Sequence, residues 1–400
     1  MIQGPKDVTQ LFPEECLIRE ISGKPRLSIG IPKEDSRIET RLPLTPEGVA
    51  IITDEGHSVY IERGAGLPMS YSDMQFSEAG AFLVDSPEEV FSAEIVFKIT
   101  PPSIEQLHMM KNRSTIFSML QLSNLSKDAI ELMMHKKMNA IAYELIKDEQ
   151  KAFPVVNSIA EIEGNAAIAI ISDLMSSEHG GKGVLLGGVA GITPPEVVII
   201  GASITGSVAA RTALGLGAMV KIFDHDINKL RKIQHYLGRM VFTSVIHPSV
   251  LFKALASADA VIGNLRYING SDRFMVSEDL VKTMKKGSVI VDMSVDQGGC
   301  FETSEFRTLA NPVFVKHGII HYCVPNISAR VGRTASIALS NIFTPIILKI
   351  GTSGSVKQSI TDSSGFRHGA YVFSGIMVNR LIGDYYNIAS NDIGLFLTGY

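Results

Sequence analysis

Residues 197–224 read VVIIGASITGSVAARTALGLGAMVKIFD. An apolar run ends in a glycine turn, a helix of small residues follows, and a second apolar run closes on Asp224. This order of strand, glycine turn, helix, strand and acid is that of the βαβ unit that binds dinucleotides. Gly201 makes the tight turn, and Gly206 lets helix and strand approach closely. The helix start at Ile204 offers unpaired N–H groups and a positive dipole end to a pyrophosphate. Asp224 lies 18 residues past Gly206, where an acid accepts hydrogen bonds from a ribose and repels a 2′-phosphate, so NAD is expected rather than NADP. Lys229, just beyond, joins the expected cofactor contacts. The middle glycine of the G-x-G-x-x-G pattern is replaced by Ser203, which predicts weaker binding, because that glycine permits close approach of the backbone to the phosphates.

Outward from this unit, further apolar runs without alternation occur at Ala260–Ile262, Val289–Val291 and Ile319–Val324, as expected for parallel strands buried on both faces. Upstream, LSIGIP from Leu27, the helical TPEGVAIITDEG and the strand SVYIERG begin a separate α/β series. It continues at Ile95–Ile99, Thr115–Leu120 and Asn139–Tyr143. Thr45 followed by Pro46 is a helix-start signature. An apolar helical stretch, Ile162–Met175, links the two series, and helices are predicted at Thr334–Leu348 and Ala370–Ile382. The fold class that follows is α/β, with one α/β domain in the first 150 residues, a second built on a doubly wound parallel sheet, and a C-terminal segment that could return to pack on the first. Residues 1–26 precede the first clear strand and read as an N-terminal extension.

A chain of 400 residues exceeds the roughly 250–300 at which one core stops growing. A net charge of -4 and the absence of a long basic run argue against nucleic acid. No stretch reaches the roughly 18 uninterrupted apolar residues of a membrane span, and charges in the first 20 residues interrupt any signal-peptide core, so a cytoplasmic location without membrane contact is expected. Cys16, Cys300 and Cys323 are odd in number and have no ligand-like spacing, which predicts neither a disulfide framework nor a structural metal.

Five segments in order, IGIPKEDSRIETRLPLTPEGV, ERGAGLPMSYSDMQFSEAGA, LLGGVAGITPPEVVIIGA, MKKGSVIVDMSVDQGGCFETS and HYCVPNISARVGRTASIALSN, resemble the alanine dehydrogenase and transhydrogenase alpha-subunit family, alanine dehydrogenases most of all. The resemblance spans about residues 27–390. It implies two Rossmann-like domains, a discontinuous substrate domain over 27–154 plus 332–400 and an inserted NAD-binding Rossmann domain over 155–331, with a cleft between them. It also implies reversible conversion of L-alanine, NAD and water to pyruvate, ammonia and NADH, and a homo-oligomer, a hexamer or a dimer. It implies that Arg41 grips the substrate carboxylate with its planar fork, and that Asp296 is the catalytic aspartate. Asn264, Leu265 and Asn326 fall where the family contacts its cofactor, and Arg266 falls where it would meet a second acidic group of a substrate.

The chain departs from the family at telling places. The second lysine of its Lys-x-Lys-x-Pro strand is Thr100; Lys98 lies on the same face, one pleat away, and either compensates as a substrate ligand or fills a structural place of its own. The catalytic histidine falls at Gln121, which cannot exchange a proton but can hydrogen-bond a carbonyl oxygen. Glu163 adds a carboxylate near the domain junction. These residues leave three readings: an amino-acid dehydrogenase with rerouted protons, a transhydrogenase-like hydride carrier, and a non-catalytic NAD-binding homologue.

Overall fold

The computed structural model describes residues 26–120, 125–265 and 275–394. The Gln121 and Arg266 assignments therefore lie outside the described residues. Two sheets carry the architecture. The first contains β1 (Ser28–Ile31), β2 (Ser58–Glu62), β3 (Phe82–Val84), β4 (Ile95–Phe97), β5 (Thr115–Ser118) and β6 (Asn139–Ala142). The second contains β7 (Glu196–Ile200), β8 (Met219–Asp224), β9 (Phe242–Val245), β10 (Ala260–Gly263), β11 (Val289–Asp292), β12 (Val313–Lys316) and β13 (Ile319–Tyr322). β14 (Ala370–Phe373) and β15 (Ile376–Met377) return to the first.

The strand orders are β15-β14-β6-β5-β4-β1-β2-β3 and β12-β13-β11-β10-β7-β8-β9. Each is parallel except at the β14–β15, β14–β6 and β12–β13 pairs. In each, the chain starts in the middle, runs to one side and then crosses to the other, so each has a switch point, β1/β4 in the first sheet and β7/β10 in the second. Ligands of open α/β sheets bind outside the carboxyl ends of the strands at such points.

Two long helices tie the sheets together. Pro154–Leu174 sends Val155 into the core of the first sheet and Ile168, Ile171 and Leu174 into that of the second, while the helix Gly332–Ser353 places Leu339, Phe343, Ile347 and Ile350 in the first core. Pro154–Leu174 and Ile327–Ser353 are long and apolar enough to cross a membrane, but 44% and 50% of their apolar windows are buried inside the protein. Service to two cores accounts for their composition. The first helix crosses Ile204–Leu216 at Gly164, where a Cβ would lie 2.6 Å from the Thr205 carbonyl oxygen. In the first core, Phe97 stacks on Phe117 at 4.4 Å, and Phe343 meets Phe97 at 5.4 Å.

The helix expected over Ala370–Ile382 is instead a hairpin. Tyr371, Val372 and Phe373 favour a strand. Ser374 and Gly375, with φ of 50° and 83°, make the tight two-residue turn that joins β14 to β15. A short helix follows only at Arg380–Tyr386. Thr45 caps the helix Pro46–Asp54 through its side chain, as its sequence indicates.

Candidate functional site

The glycine turn follows β7. Gly201 has φ of +116°, and a Cβ there would come within 2.4 Å of the Asn264 carbonyl oxygen, so only glycine lets this turn pass the end of β10. At Gly206 a Cβ would lie 2.1 Å from the Gly201 carbonyl oxygen. Ser203 caps the helix Ile204–Leu216: its Oγ accepts from the Gly206 N–H at 3.2 Å and also from Asn264 Nδ2. The hydroxyl thus takes a helix-terminal N–H of the kind a phosphate uses. Asp224 closes β8 and is buried, with Oδ2 accepting from Ala202 N at 2.7 Å and Oδ1 from Asp226 N at 2.9 Å. It therefore braces the glycine turn, and its carboxylate oxygens retain lone pairs for further donors. Ile204 and Lys229 are exposed, and Leu265 is half-buried.

At the switch point of the first sheet, the loop after β1 carries Glu34, Glu39 and Arg41. The Lys98 ammonium reaches Glu34 Oε2 at 2.5 Å and the Thr100 hydroxyl; Glu34 also accepts from the Ile99 and Thr100 N–H groups. At least two of the three ammonium donors are engaged in fastening the ends of β1 and β4 together. Arg41 is buried. Its Nε and Nη2 donate to the two Glu39 oxygens at 2.7 and 2.6 Å, and its Nη1 donates to Ser328 Oγ at 2.9 Å. Burial pushes the Glu39 carboxyl up, but the charge and hydrogen bonds of Arg41 outweigh it and hold the group below its ordinary value. Burial likewise opposes the charge on Arg41, and the fields of Glu39 and Glu163 more than restore it.

Residues 38–42 are stitched to 326–336, the segment that follows β13. Asn326 Nδ2 donates to the Ile38 carbonyl at 2.7 Å, the Thr40 hydroxyl to the Ala329 carbonyl, and Leu42 N to Ser336 Oγ at 2.8 Å. Asn326 is thus turned toward the Arg41 loop. Glu163 joins the same cluster, accepting from Ser328 Oγ at 3.2 Å.

Asp296 lies in the turn Val295–Gln297 after β11, half-buried at the carboxyl edge of the second sheet. Its loop is anchored by Asp292, which accepts from Ser294 N, Cys300 N and Ser304 Oγ. Burial pushes the Asp292 carboxyl up against these bonds. Glu144, just past β6, carries another buried carboxyl: burial raises it to about 7 despite the Glu144 and Leu120 N–H groups, and among the described residues its Oε2 has no hydrogen-bond partner.

Among the described residues no group of three potential ligands could hold a metal ion. His317 and His321 do have a four-residue spacing, but their rings turn to different partners, Glu278 and Thr303. Burial lowers His321 to about 4.

Sequence reasoning missed Glu34, Glu39 and Ser328 as partners. Glu39 left one trace: in extended chain, residues two apart share a face, so Glu-x-Arg places the acid beside Arg41. Ser328 left none, since it meets Arg41 only through tertiary packing.

The model described as "Alanine dehydrogenase/PNT, N-terminal domain" matches residues 30–163, and "Alanine dehydrogenase/PNT, C-terminal domain" matches 167–380. The chain belongs to this family. Similar curated proteins of the family include the alanine dehydrogenase of Methanococcus maripaludis, 36% identical over 349 residues, covering 87% of this chain and 93% of that protein. The alanine dehydrogenase of Bacillus subtilis is also 36% identical, over 348 residues, covering 87% and 91%. A solved L-alanine dehydrogenase superposes with a TM-score of 0.82 at 33% identity, over 90% of this chain and 99% of that one. A transhydrogenase from Sinorhizobium meliloti shares the fold, with a TM-score of 0.74 at 21% identity over 88% and 99%.

Proposed function

We propose that the chain is an NAD-dependent amino-acid dehydrogenase that oxidatively deaminates L-alanine or a related amino acid to the 2-oxoacid and ammonia. The observation that carries this reading is the buried Arg41, held between the loop after β1 and the segment after β13 by Glu39 and Ser328, in a chain whose second sheet carries a glycine turn of dinucleotide-binding type. The tight turn suits NAD: Gly201 and Gly206 let the chain pass the end of β10 and close on itself as no residue with a Cβ could, leaving the helix start at Ile204 to face a pyrophosphate, and Asp224 is assigned to the ribose. When bound, NAD supplies the hydride acceptor.

The roles of the chain's own residues follow from their chemistry. Arg41 keeps its charge at all working pH values and presents N–H donors to the substrate carboxylate. Three of its donors are committed to Glu39 and Ser328, which leaves one on each terminal nitrogen for a ligand. Asp296 acts beside the reacting carbon and handles a proton of the amine or the attacking water. Gln121 holds a carbonyl oxygen as a neutral donor. Lys98 orders the pocket floor through Glu34 and Thr100. Ile204, Leu265, Lys229 and Asn264 are assigned to the cofactor, and so is Asn326, which the Ile38 carbonyl ties to the Arg41 loop. We place the enzyme in the cytoplasm, as a homo-oligomer.

The test is NADH formation from a panel of amino acids, followed by absorbance. Turnover that Arg41→Ala loses through KM and Asp296→Asn loses through kcat supports the assignment. Purified protein that binds NADH yet oxidises no amino acid and reduces no 2-oxoacid refutes it in favour of a non-catalytic homologue.

A further inference from the structure

We propose that Ser328 and Glu163 are positioning residues for Arg41, forming a relay that sets the direction of the carboxylate-binding fork. This rests on the dehydrogenase reading and assigns two residues beyond it.

Arg41 comes from the loop after β1, Ser328 from the segment after β13, and Glu163 from the long helix Pro154–Leu174, so the relay joins three parts of the chain that no local sequence pattern brings together. Ser328 is fully buried. A serine hydroxyl has one hydrogen to donate and two lone pairs to offer. Arg41 Nη1 can only donate, and at 2.9 Å it requires a lone pair of Ser328 Oγ. Glu163 Oε1, 3.2 Å from the same Oγ, accepts the hydroxyl hydrogen. The carboxylate thus keeps the hydrogen away from Arg41 and the lone pair facing it.

Glu39 alone holds the guanidinium along one side, through Nε and Nη2. That contact leaves the plane free to rock about the Nε–Nη2 edge. The bond from Nη1 to Ser328 adds a third point from a different chain segment, which fixes the plane and aims the remaining N–H groups. Planar bidentate recognition of a carboxylate depends on that aim, and a small misalignment of a binding group is costly. Because the contact is to the carboxylate, which does not change during the reaction, loss of alignment weakens substrate and transition state alike.

The expected result for Ser328→Ala is therefore a rise of about tenfold in the KM for the amino acid with kcat within twofold of wild type. The inhibition constant of propionate, which offers a carboxylate and no amine, should rise by the same factor. Ser328→Thr, which restores the hydroxyl, should recover most of the loss. Glu163→Gln keeps the shape but lets an amide N–H compete for the Ser328 lone pair, and should give an intermediate rise. NADH affinity and thermal midpoint identify variants that fold normally.

Calorimetric titration of propionate into the NADH-loaded protein measures the same grip without turnover. If wild type oxidises no amino acid, the dehydrogenase reading fails, while this titration still decides the relay. A Ser328→Ala protein that binds propionate as wild type does overturns the proposal. So does an equal fall in kcat with no recovery in Ser328→Thr, which would mark a general structural role.

Discussion

Replacing Glu144 by glutamine should abolish a specific part of the protein's pH-dependent stability. Burial raises this carboxyl from an ordinary 4.5 to about 7, and among the described residues Oε2 has no hydrogen-bond partner to favour the charged form. The folded chain therefore holds the proton at pH values where the unfolded chain has released it. Between about 4.5 and 7 the unfolded state binds fewer protons, so stability falls as pH rises. The contribution is fully present below the ordinary value and is lost as pH passes through the folded one. Each pH unit of difference is worth about 1.4 kcal/mol, so the loss is on the order of 3 kcal/mol. Glu144→Gln is neutral throughout and escapes it. Urea unfolding of wild type and variant at pH 4.5 and pH 8 isolates the group, since every other titration is common to both proteins. The variant should match wild type at pH 4.5 and exceed it by about 3 kcal/mol at pH 8. The same difference at both pH values would refute the reasoning and mean that the carboxyl is solvated or paired in solution.

Other perturbations test the cofactor turn and the pocket. Gly206→Ala drives a Cβ to 2.1 Å from the Gly201 carbonyl oxygen and should weaken NADH binding at least tenfold at a stability cost of about 1–3 kcal/mol; fluorescence titration and melting read the two effects, and unaltered binding would mean that the turn opens freely. Asp224→Ala should lower NADH affinity and narrow the preference over NADPH, while unchanged affinities for both would remove the ribose assignment. Ser203→Gly, which withdraws the capping hydroxyl from the helix start, should tighten NADH binding; looser binding would show that the hydroxyl itself holds the cofactor. Gln121→His should raise turnover with alanine, and no gain would argue that protons pass through another group.

The fold was legible where periodicity is strong. The buried runs of both sheets announce themselves as short apolar segments, and the glycine turn between β7 and its helix is set by residues that tolerate no Cβ. The hairpin at Ala370–Met377 was misread as helix because its strands are short and its pairing with β6 lies more than 200 residues away in sequence. Arg41 and Asp296 were proposed through resemblance; Glu39 left only the Glu-x-Arg spacing as a trace, and Ser328 left none, because a partner supplied by tertiary packing has no local signature. Lys98 shows the same limit. Strand alternation placed it on the face of Thr100, but only the folded chain shows Glu34 holding its ammonium.

The central claim is that the buried Arg41 and the Asp296 turn serve oxidation of an amino acid by NAD, and steady-state NADH formation from L-alanine and related amino acids by the purified full-length protein tests it most directly. The account predicts measurable turnover that Arg41→Ala impairs mainly through KM and Asp296→Asn mainly through kcat. Protein that binds NADH with normal stability but oxidises none of these amino acids, and reduces none of the matching 2-oxoacids in the presence of ammonia, would contradict it.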